Sequence, residues 1–354
     1  MKILFVTRCL SPKYNDGGLM VTKRNYNMLK SIFGEENVDV IEFPKPNFLS
    51  KLLNLLFHQS YGQTPTILSR YKKLLKQNIY DFVFFNSSLY GNLVKYCASK
   101  KIPSYVFFHN VESKYYKDLL NYKKTVSSMV FQKYIRKMEK QSCQYSNYRI
   151  VLNKRDEKDL FLEYGVSIDL ILPISMKRIE LNNVCSKEER FCVFLGSDFW
   201  ANRQGLSWFL ENVKPHINIK LKICGSICNF LKTKYSDIDG VTFLGYIDNV
   251  ANLYEKALFI VSPIFSGSGM KTKTVEALAY GKSIIGTDEA FVGIDADFSK
   301  IGAKCNTADE FIDSINTYTG TQFNEYSYNW FNNNLSDDKI YNTFLNFVNN
   351  HYNK

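Results

Sequence analysis

Residues 262–281 read SPIFSGSGMKTKTVEALAYG, and the rest of the chain is best interpreted from this stretch. The apolar run before it, Ala257–Val261, has the length of a buried strand, and a proline closes it. Gly281 suits the C-terminus of a helix, because glycine readily adopts the left-handed conformation found there. The stretch therefore predicts a strand, a glycine-containing loop and a helix that begins near Met270 or Lys271.

The predicted loop and helix have the features of a diphosphate-binding site. Gly267 and Gly269 let backbone amides approach a ligand closely, and the N-terminus of a helix favours negative charge. Lys273, Glu276 and Tyr280 share one helical face, at spacings of three and four residues. Lys273 would supply a cation, and Glu276 would accept hydrogen bonds from sugar hydroxyls. Taken alone, the pattern also fits an ordinary strand-to-helix turn.

The same stretch resembles the donor-binding signature of family 4 glycosyltransferases and their relatives in the GT-B class. That signature runs close to Pro-x-x-x-Gly-Ser-Gly-x-Lys-x-Lys-x-x-Glu-Ala-x-Ala-x-Gly-Lys and continues into a strand and a Gly-Thr pair, which here is Gly286 and Thr287. The resemblance implies a nucleotide diphosphate-sugar as donor. One position departs from it. The first glutamate of the family's Glu-x7-Glu pair falls at Ser268, so its contacts to the donor sugar are not carried over.

Strand and helix patterns alternate along both halves of the chain, which predicts an α/β protein with parallel sheets. The resemblance implies the GT-B architecture, in which two Rossmann-like, doubly wound domains face each other across a cleft. We expect an acceptor domain at 1–174, a linker at 175–190, a nucleotide-sugar-binding domain at 191–335, and a helix at 336–354 that packs back on the first domain. The Gly-x-Gly-x-x-Gly fingerprint of dinucleotide-binding domains is missing after the first strand, which argues against an NAD enzyme.

The resemblance and the local patterns together assign the candidate site residues. Catalytic roles are expected for His109, Glu276 and Lys273. The donor-binding residues are Gly18, Gly196, Arg203, Gly267, Ser268, Gly269, Met270, Lys271, Thr272, Lys273 and Glu276. The acceptor side is assigned Gly17, Gly18 and Glu112. His109 follows a predicted strand, at the edge where open parallel sheets bind ligands, although a histidine there is often only structural. Gly17 and Gly18 equally fit a plain start of a helix.

Composition points to an anionic partner. Lys and Arg total 45 and Asp and Glu total 34, which gives a net charge of +11. Such an excess suits membrane phospholipid, a lipid-linked phosphate or nucleic acid, or simply a solvated surface. No nucleic-acid module is recognisable, so no nucleic-acid partner is expected. Two segments suit an anionic membrane, Phe48–Phe57, which is very apolar, and the long basic helix Lys123–Ser146. Each also fits a helix packed on its own domain.

Eight scattered cysteines without paired CxxC spacing indicate free thiols in the cytoplasm. Neither a signal peptide nor a membrane-spanning run is expected, and the inner face of the plasma membrane is the expected place of contact with lipid. The strings Asp237–Asp239 and Asp295–Asp297 are interpreted as loop acids, so no metal is expected. No cofactor is expected beyond the nucleotide-sugar substrate.

The resemblance to family 4 glycosyltransferases implies a retaining, metal-independent, hexosyltransferase-type enzyme. It would move a sugar from a nucleotide diphosphate-sugar to a lipid-linked or growing glycan acceptor, in the assembly of a bacterial surface polysaccharide such as a capsule or O-antigen. Two alternatives remain open at this stage. One is a nucleotide-sugar 2-epimerase of the same fold, and the other is a non-catalytic GT-B partner subunit that binds glycan or stabilises another transferase.

Overall fold

The computed structural model describes residues 1–8, 10, 17–44, 47–57, 59–60, 62–122, 125–180, 190–235 and 238–352. The chain divides into two compact units. The N-terminal unit consists of residues 1–173 together with 341–354, and the C-terminal unit consists of residues 174–340. Most of the expected linker, residues 181–189, lies outside the described residues.

The N-terminal unit contains a six-stranded parallel sheet in the order β2-β1-β3-β4-β5-β6. Its strands are β1 (Ile3–Arg8), β2 (Val38–Phe43), β3 (Phe82–Phe85), β4 (Ser104–Phe108), β5 (Tyr148–Val151) and β6 (Leu170–Ile171). Its first seven helices are α1 (Gly17–Phe33), α2 (Phe48–Leu56), α3 (Pro65–Gln77), α4 (Gly91–Ser99), α5 (Glu112–Tyr122), α6 (Val126–Tyr145) and α7 (Lys154–Tyr164).

The C-terminal unit contains a second six-stranded parallel sheet, in the order β12-β11-β10-β7-β8-β9. Its strands are β7 (Phe191–Leu195), β8 (Lys220–Cys224), β9 (Val241–Gly245), β10 (Phe259–Ser262), β11 (Ile284–Gly286) and β12 (Gly302–Lys304). The helices are α8 (Trp200–Asn212), α9 (Ile227–Lys234), α10 (Ala251–Lys256), α11 (Thr272–Ala279), α12 (Phe298–Ile301), α13 (Ala308–Asn316) and α14 (Glu325–Asn334), and α15 (Asp337–Tyr352) follows.

The central strands of the N-terminal sheet are buried on both faces, as continuous apolar runs in parallel sheets usually are. Alternate side chains point to opposite faces. On one face, Phe84 packs against Phe344 of α15, with ring centroids 5.9 Å apart. On the other face, Phe85 and Val106 join the core beneath α4. The last turns of α15 thus cover one face of this sheet.

Each sheet has a point where the direction of strand addition reverses. In the N-terminal sheet this point lies between β1 and β3, and in the C-terminal sheet it lies between β7 and β10. Loops that leave the carboxyl ends of such neighbouring strands diverge to opposite faces, and the crevice between them is the usual ligand site of open α/β sheets. The topology therefore predicts ligand sites at the loops after these four strands.

Several predicted bounds agree with the structure and others shift. The strands Val38–Phe43 and Ser104–Phe108 have the predicted limits. Helix α1 begins at Gly17 and not at Leu19, so the two glycines form its first turn. Among the described residues, the free cysteines are all buried, namely Cys97, Cys143, Cys192, Cys224, Cys228 and Cys305. Among the described helices, none combines the length and apolar character needed to cross a membrane.

Candidate functional site

The loop that follows β10 and the first turn of α11 form the centre of the candidate site. The helix begins at Thr272, slightly later than predicted, and the side chain of its N-cap residue Lys271 makes no capping hydrogen bond. Gly267 and Gly269 have φ values of 134° and 63°, in the region that favours glycine. The first N–H groups of the helix are therefore not satisfied by a capping side chain, which suits an anion.

Helix α8 approaches this loop very closely. A Cβ atom added at Gly205 would lie 1.8 Å from the carbonyl oxygen of Pro263, so only glycine fits there. The strand-end residue Gly196 makes a similar approach to Gly225, where a Cβ would lie 2.1 Å from the Gly196 carbonyl oxygen. These close contacts fix the loops after β7 and β10 beside each other.

Lys273 lies at the junction of those two loops. Its Nζ donates to Oδ1 of Asn202 at 2.8 Å and lies 4.2 Å from the centroid of the Phe194 ring. Asn202 in turn donates to the carbonyl of Ser197 at 2.8 Å, which fixes the orientation of its amide. Burial, reinforced by the charge of Lys271, lowers the pKa of Lys273 to about 7. No carboxylate in the described chain forms an ion pair with Lys273.

The two lysines of the signature differ in their surroundings. Lys271 donates to Oε1 of Glu289 at 2.6 Å and to the carbonyl of Gly269 at 3.1 Å. Its charge is thus already matched by a carboxylate. Lys273 has a neutral amide and an aromatic ring for neighbours instead. Of the two, Lys273 is the better cation for an incoming diphosphate.

Glu276 lies one turn further along α11, half-buried. Tyr254, fully buried in α10, donates its hydroxyl to Oε2 of Glu276 at 2.9 Å. Tyr254 also stacks on Tyr280, with centroids 4.6 Å apart and an interplanar angle of 6°. Burial raises the pKa of Glu276, and the hydrogen bond from Tyr254 offsets part of this rise. The carboxylate is therefore fixed through one oxygen.

Arg203 is in the first turn of α8, where the sequence places it, but its guanidinium is already engaged. Nε and Nη2 donate to the two carboxylate oxygens of Asp198 at 2.5 and 2.7 Å, and the group stacks 4.5 Å from the Phe230 ring centroid. The next residue, Gln204, accepts a hydrogen bond from Ser266. Arg203 would have to share its charge with Asp198 in order to contact a diphosphate.

The remaining predicted residues of the C-terminal unit are near these groups. Ser268 is half-buried between the two loop glycines, Met270 is buried, and Thr272 opens the helix. A Cβ added at Gly293 would lie 2.5 Å from Cγ of Met270, so the backbone at Gly293 packs directly against the Met270 side chain of the signature. The structure therefore places the signature beside Gly196, since a Cβ added there would lie 3.0 Å from Nδ2 of Asn202, the partner of Lys273, whereas the guanidinium of Arg203 lies against Asp198.

The predicted residues of the N-terminal unit gather at the switch point of its own sheet. His109 follows β4, and its Nε2 lies 3.0 Å from the carbonyl oxygen of Asn86, which follows β3. The Asn86 amide donates to the hydroxyls of Thr7 and Thr22 at 3.3 and 2.9 Å. Asn86 therefore connects His109 to β1 and to α1, the helix that begins with Gly17.

Burial shifts the pKa values of two titratable groups in this cluster toward the neutral form. Burial, together with the charges of Arg8 and Arg24, lowers the pKa of His109 to about 3. Burial raises the pKa of Glu112 to about 7, a rise to which Glu139 contributes and which Arg8 opposes. Oε1 of Glu139 accepts the backbone N–H of Glu112 at 2.8 Å. The predicted acceptor-side residue Glu112 thus lies between a buried carboxyl group, Glu139, and the positive charge of Arg8.

Residues 189–318 match the profile of the family Glycosyl transferases group 1. The matched segment begins just before β7 and contains every donor-site residue of the C-terminal unit. We call this matched segment, residues 189–318, the group 1 domain after the family that it resembles. The predicted resemblance is confirmed for this part of the chain, and the signature at 262–281 lies inside the group 1 domain.

A curated relative, described as an uncharacterized 44.6 kDa protein in the cps region of Klebsiella pneumoniae, is 24% identical over 242 residues. The match covers 62% of this chain and 60% of that relative. It therefore extends beyond the group 1 domain but spans less than two thirds of the relative's length.

The fold is shared with solved structures along the whole chain. A sucrose-phosphate synthase from Thermosynechococcus elongatus matches with a TM-score of 0.74 at 13% identity, over 100% of both chains. HepE from Anabaena, in complex with UDP-glucose, matches with a TM-score of 0.68 at 13% identity, over 99% of this chain and 100% of that one. The predicted α/β fold of the GT-B class is confirmed.

Two residues of the described clusters were not identified from the sequence. Tyr254 precedes β10 by five residues in a short helix, and no local pattern pairs it with Glu276 in the group 1 domain. Asn86 lies in the loop after β3, where its strand-end position is a signal that could have been used. The two clusters belong to different units of the chain.

Proposed function

We propose that this chain is a retaining glycosyltransferase that uses a nucleotide diphosphate-sugar donor and a lipid-linked or growing glycan acceptor. The observation that carries the proposal is the pair formed by Lys273, a lysine with no carboxylate partner among the described residues, and Glu276, a carboxylate fixed by Tyr254. Both project from the first two turns of a helix with an uncapped N-terminus inside the group 1 domain.

The donor's groups match the side chains in this proposal. Glu276 accepts hydrogen bonds from the ribose hydroxyls through the oxygen that Tyr254 leaves open. The amides from Gly269 to Lys273 and the Nζ of Lys273 bind the diphosphate, and Gly196 lets the sugar phosphate approach the end of β7. Stabilising the charge that develops on the leaving diphosphate is the largest catalytic contribution that these groups offer.

The proposed reaction breaks the bond between the anomeric carbon and the diphosphate oxygen. An acceptor hydroxyl oxygen attacks the same face, and its proton moves to the departing phosphate oxygen, so the anomeric configuration is retained. His109, whose ring is neutral, acts as a hydrogen-bonding partner of the transferred hexose. In this scheme Lys273 and the helix N-terminus offset the diphosphate charge, and neither a metal ion nor a cofactor is required.

The biological setting is proposed from the relatives. The Klebsiella pneumoniae relative is described as a protein in a cps region, and HepE was solved with UDP-glucose. We assign the chain to cytoplasmic assembly of a bacterial surface polysaccharide on this basis. The screen and the transfer assays described next identify the base, the sugar and the linkage.

The test begins with a thermal-shift screen of UDP-, GDP-, ADP- and dTDP-sugars, followed by transfer assays with a glycan acceptor and NMR of the product anomer. Glu276→Ala is expected to abolish the stabilisation by the donor, whereas Glu325→Gln, an exposed carboxylate change in the same unit, is expected to preserve it. Undiminished transfer by Glu276→Ala would remove the donor assignment. A product with inverted anomeric configuration would contradict the retaining mechanism. A product formed from the donor alone would indicate an epimerase, and the absence of nucleotide binding would indicate a non-catalytic partner subunit.

A further inference from the structure

Helix α2 buries the polar residue Asn54 and exposes several of its apolar side chains. Asn54 is 2% exposed, and its amide donates to the carbonyl of Gln63 at 2.8 Å and accepts from the N–H of Gly62 at 3.0 Å. The apolar side chains around it face solvent. Their exposed fractions are 44% for Leu52, 41% for Leu53, 60% for Leu56 and 66% for Phe57.

This orientation contradicts one of the two interpretations of Phe48–Phe57 drawn from the sequence. A helix packed in the core would bury its leucines and expose its asparagine. Here the buried hydrogen bonds of Asn54 fix the opposite face, and among the leucines from 52 to 56, whose side chains the structure describes, Leu55 packs partly inward against Tyr134 and its neighbours. Four large apolar side chains in six consecutive residues are thus left in solvent, which is unusual for a soluble surface.

Helix α6 extends this apolar surface. Tyr134 donates its hydroxyl to the carbonyl of Gln59 at 2.7 Å, so α6 lies directly beside the segment that follows α2. Val130, one turn before Tyr134, is 44% exposed, and its neighbour Met129 is 43% exposed. We call the surface formed by Leu52, Leu53, Leu56, Phe57, Met129 and Val130 the apolar face.

Exposed lysines lie on the same two helices as the apolar face. Lys51 on α2 and Lys133, Lys137 and Lys140 on α6 are exposed, and none of them forms an ion pair within the described chain. The acidic residue of α6, Glu139, is buried and accepts hydrogen bonds from the backbone of α5. Between positions 129 and 140, the exposed side of α6 therefore carries positive charge without a carboxylate of its own.

We infer that the apolar face docks on a lipid bilayer that contains anionic phospholipid. Leucine and phenylalanine side chains would enter the boundary between headgroups and acyl chains, while the lysines would contact phosphate groups. Charge complementarity favours this occupant over a second copy of the chain, because a symmetric dimer would bring the same unpaired lysines against one another. The inference does not depend on the proposed sugar transfer.

The test is co-sedimentation of the full chain with phosphatidylglycerol-rich vesicles and with pure phosphatidylcholine vesicles. Leu56→Ser with Phe57→Ser is expected to lower binding to the anionic vesicles about tenfold or more. Ile79→Ser, which removes an apolar side chain that is 94% exposed elsewhere in the same unit, serves as the matched control and is expected to bind normally. Lys133→Glu with Lys137→Glu is expected to cost about fivefold per lysine, an effect that added salt should erode.

All variants change exposed side chains, and thermal unfolding midpoints will show that they remain folded. Normal binding by the Leu56/Phe57 variant would overturn the inference, as would equal binding of the parent protein to both vesicle types. A concentration-dependent dimer in sedimentation, lost in the same variant without any vesicle binding by the parent, would assign the apolar face to a second copy instead.

Discussion

The two switch-point clusters occupy equivalent positions in their sheets but differ in charge. In the C-terminal unit, Lys273 and Glu276 are oriented by neutral partners, Asn202 and Tyr254, which fix the groups without cancelling their charges. In the N-terminal unit, the pKa of His109 is about 3, so its ring is neutral at physiological pH. One layout therefore presents ionisable groups held by neutral partners in one unit and an uncharged hydrogen-bonding group in the other, a division that suits the proposed diphosphate binding and sugar recognition.

The largest effect is expected from the lysine that lacks a carboxylate partner. Lys273→Met should weaken donor binding about a hundredfold, since a charge-assisted hydrogen bond contributes roughly 1.5–3 kcal/mol. The matched control is Lys271→Met with Glu289→Gln, which removes an existing ion pair and leaves the net charge unchanged. That double variant should change affinity less than about threefold. Calorimetric titration measures both, and equal losses would contradict the distinction between the lysines.

The second prediction concerns the backbone that positions the donor loop. Gly205→Ala should lower the free energy of unfolding by about 3 kcal/mol, because the new Cβ would collide with the Pro263 carbonyl and force α8 and the loop apart. Gly165→Ala is the comparison, since Gly165 has φ 67° but no atom within 4 Å of the added Cβ. Its cost should be about 1 kcal/mol, from conformation alone. Denaturant unfolding measures both costs. An unchanged free energy of unfolding for Gly205→Ala would show that the loop moves to accommodate the added Cβ.

The third prediction separates the two clusters. His109→Ala should reduce the rate of sugar transfer about tenfold while leaving the affinity for the free nucleotide unchanged, because one hydrogen bond to the sugar is removed and no charge is lost. Initial-rate kinetics and nucleotide titration give the two quantities. A drop in nucleotide affinity as large as the drop in rate would place His109 on the diphosphate and abolish the comparison.

The smallest effect is a pH dependence. The pKa of Lys273 is about 7 in the free protein, and a bound diphosphate should raise it. Affinity for a nucleotide diphosphate-sugar should therefore be highest below pH 7 and fall as the pH rises above 7, by at most tenfold per pH unit. Binding near pH 8 should take up a proton, seen as calorimetric heats that vary with the buffer. Lys273→Met should have a flat profile, and a parent protein whose affinity rises with pH would contradict the assignment.

Much of the fold could be predicted because its signals are local. Buried parallel strands such as Ser104–Phe108 are short apolar runs with clear ends, and the signature at 262–281 contains a turn and a helix directly after such a run. The partners of the site residues could not be predicted, since they come from distant segments. Asp198 neutralises Arg203 only because the loop after β7 turns back on α8, and Tyr254 meets Glu276 only once β10 and α11 are packed.

The orientation of α2 shows a different limit. Its sequence is apolar almost throughout, so periodicity cannot tell which side faces the protein. A single residue, Asn54, determines which side is buried, through hydrogen bonds with Gln63 and Gly62. No local sequence pattern predicts these bonds. Buried polar groups need partners more strictly than leucines need burial, and here that requirement fixes the helix.

The C-terminal segment has a consequence for biosynthesis. Residues 341–354 belong to the N-terminal unit, where Phe344 and Phe347 of α15 pack against Phe84, Tyr105 and Tyr148 of its sheet. During translation, that sheet face stays uncovered until the entire second unit has been synthesised. The first unit therefore cannot complete its core before the second unit has been made, and a fragment cut after residue 173 would expose an aromatic face prone to aggregation.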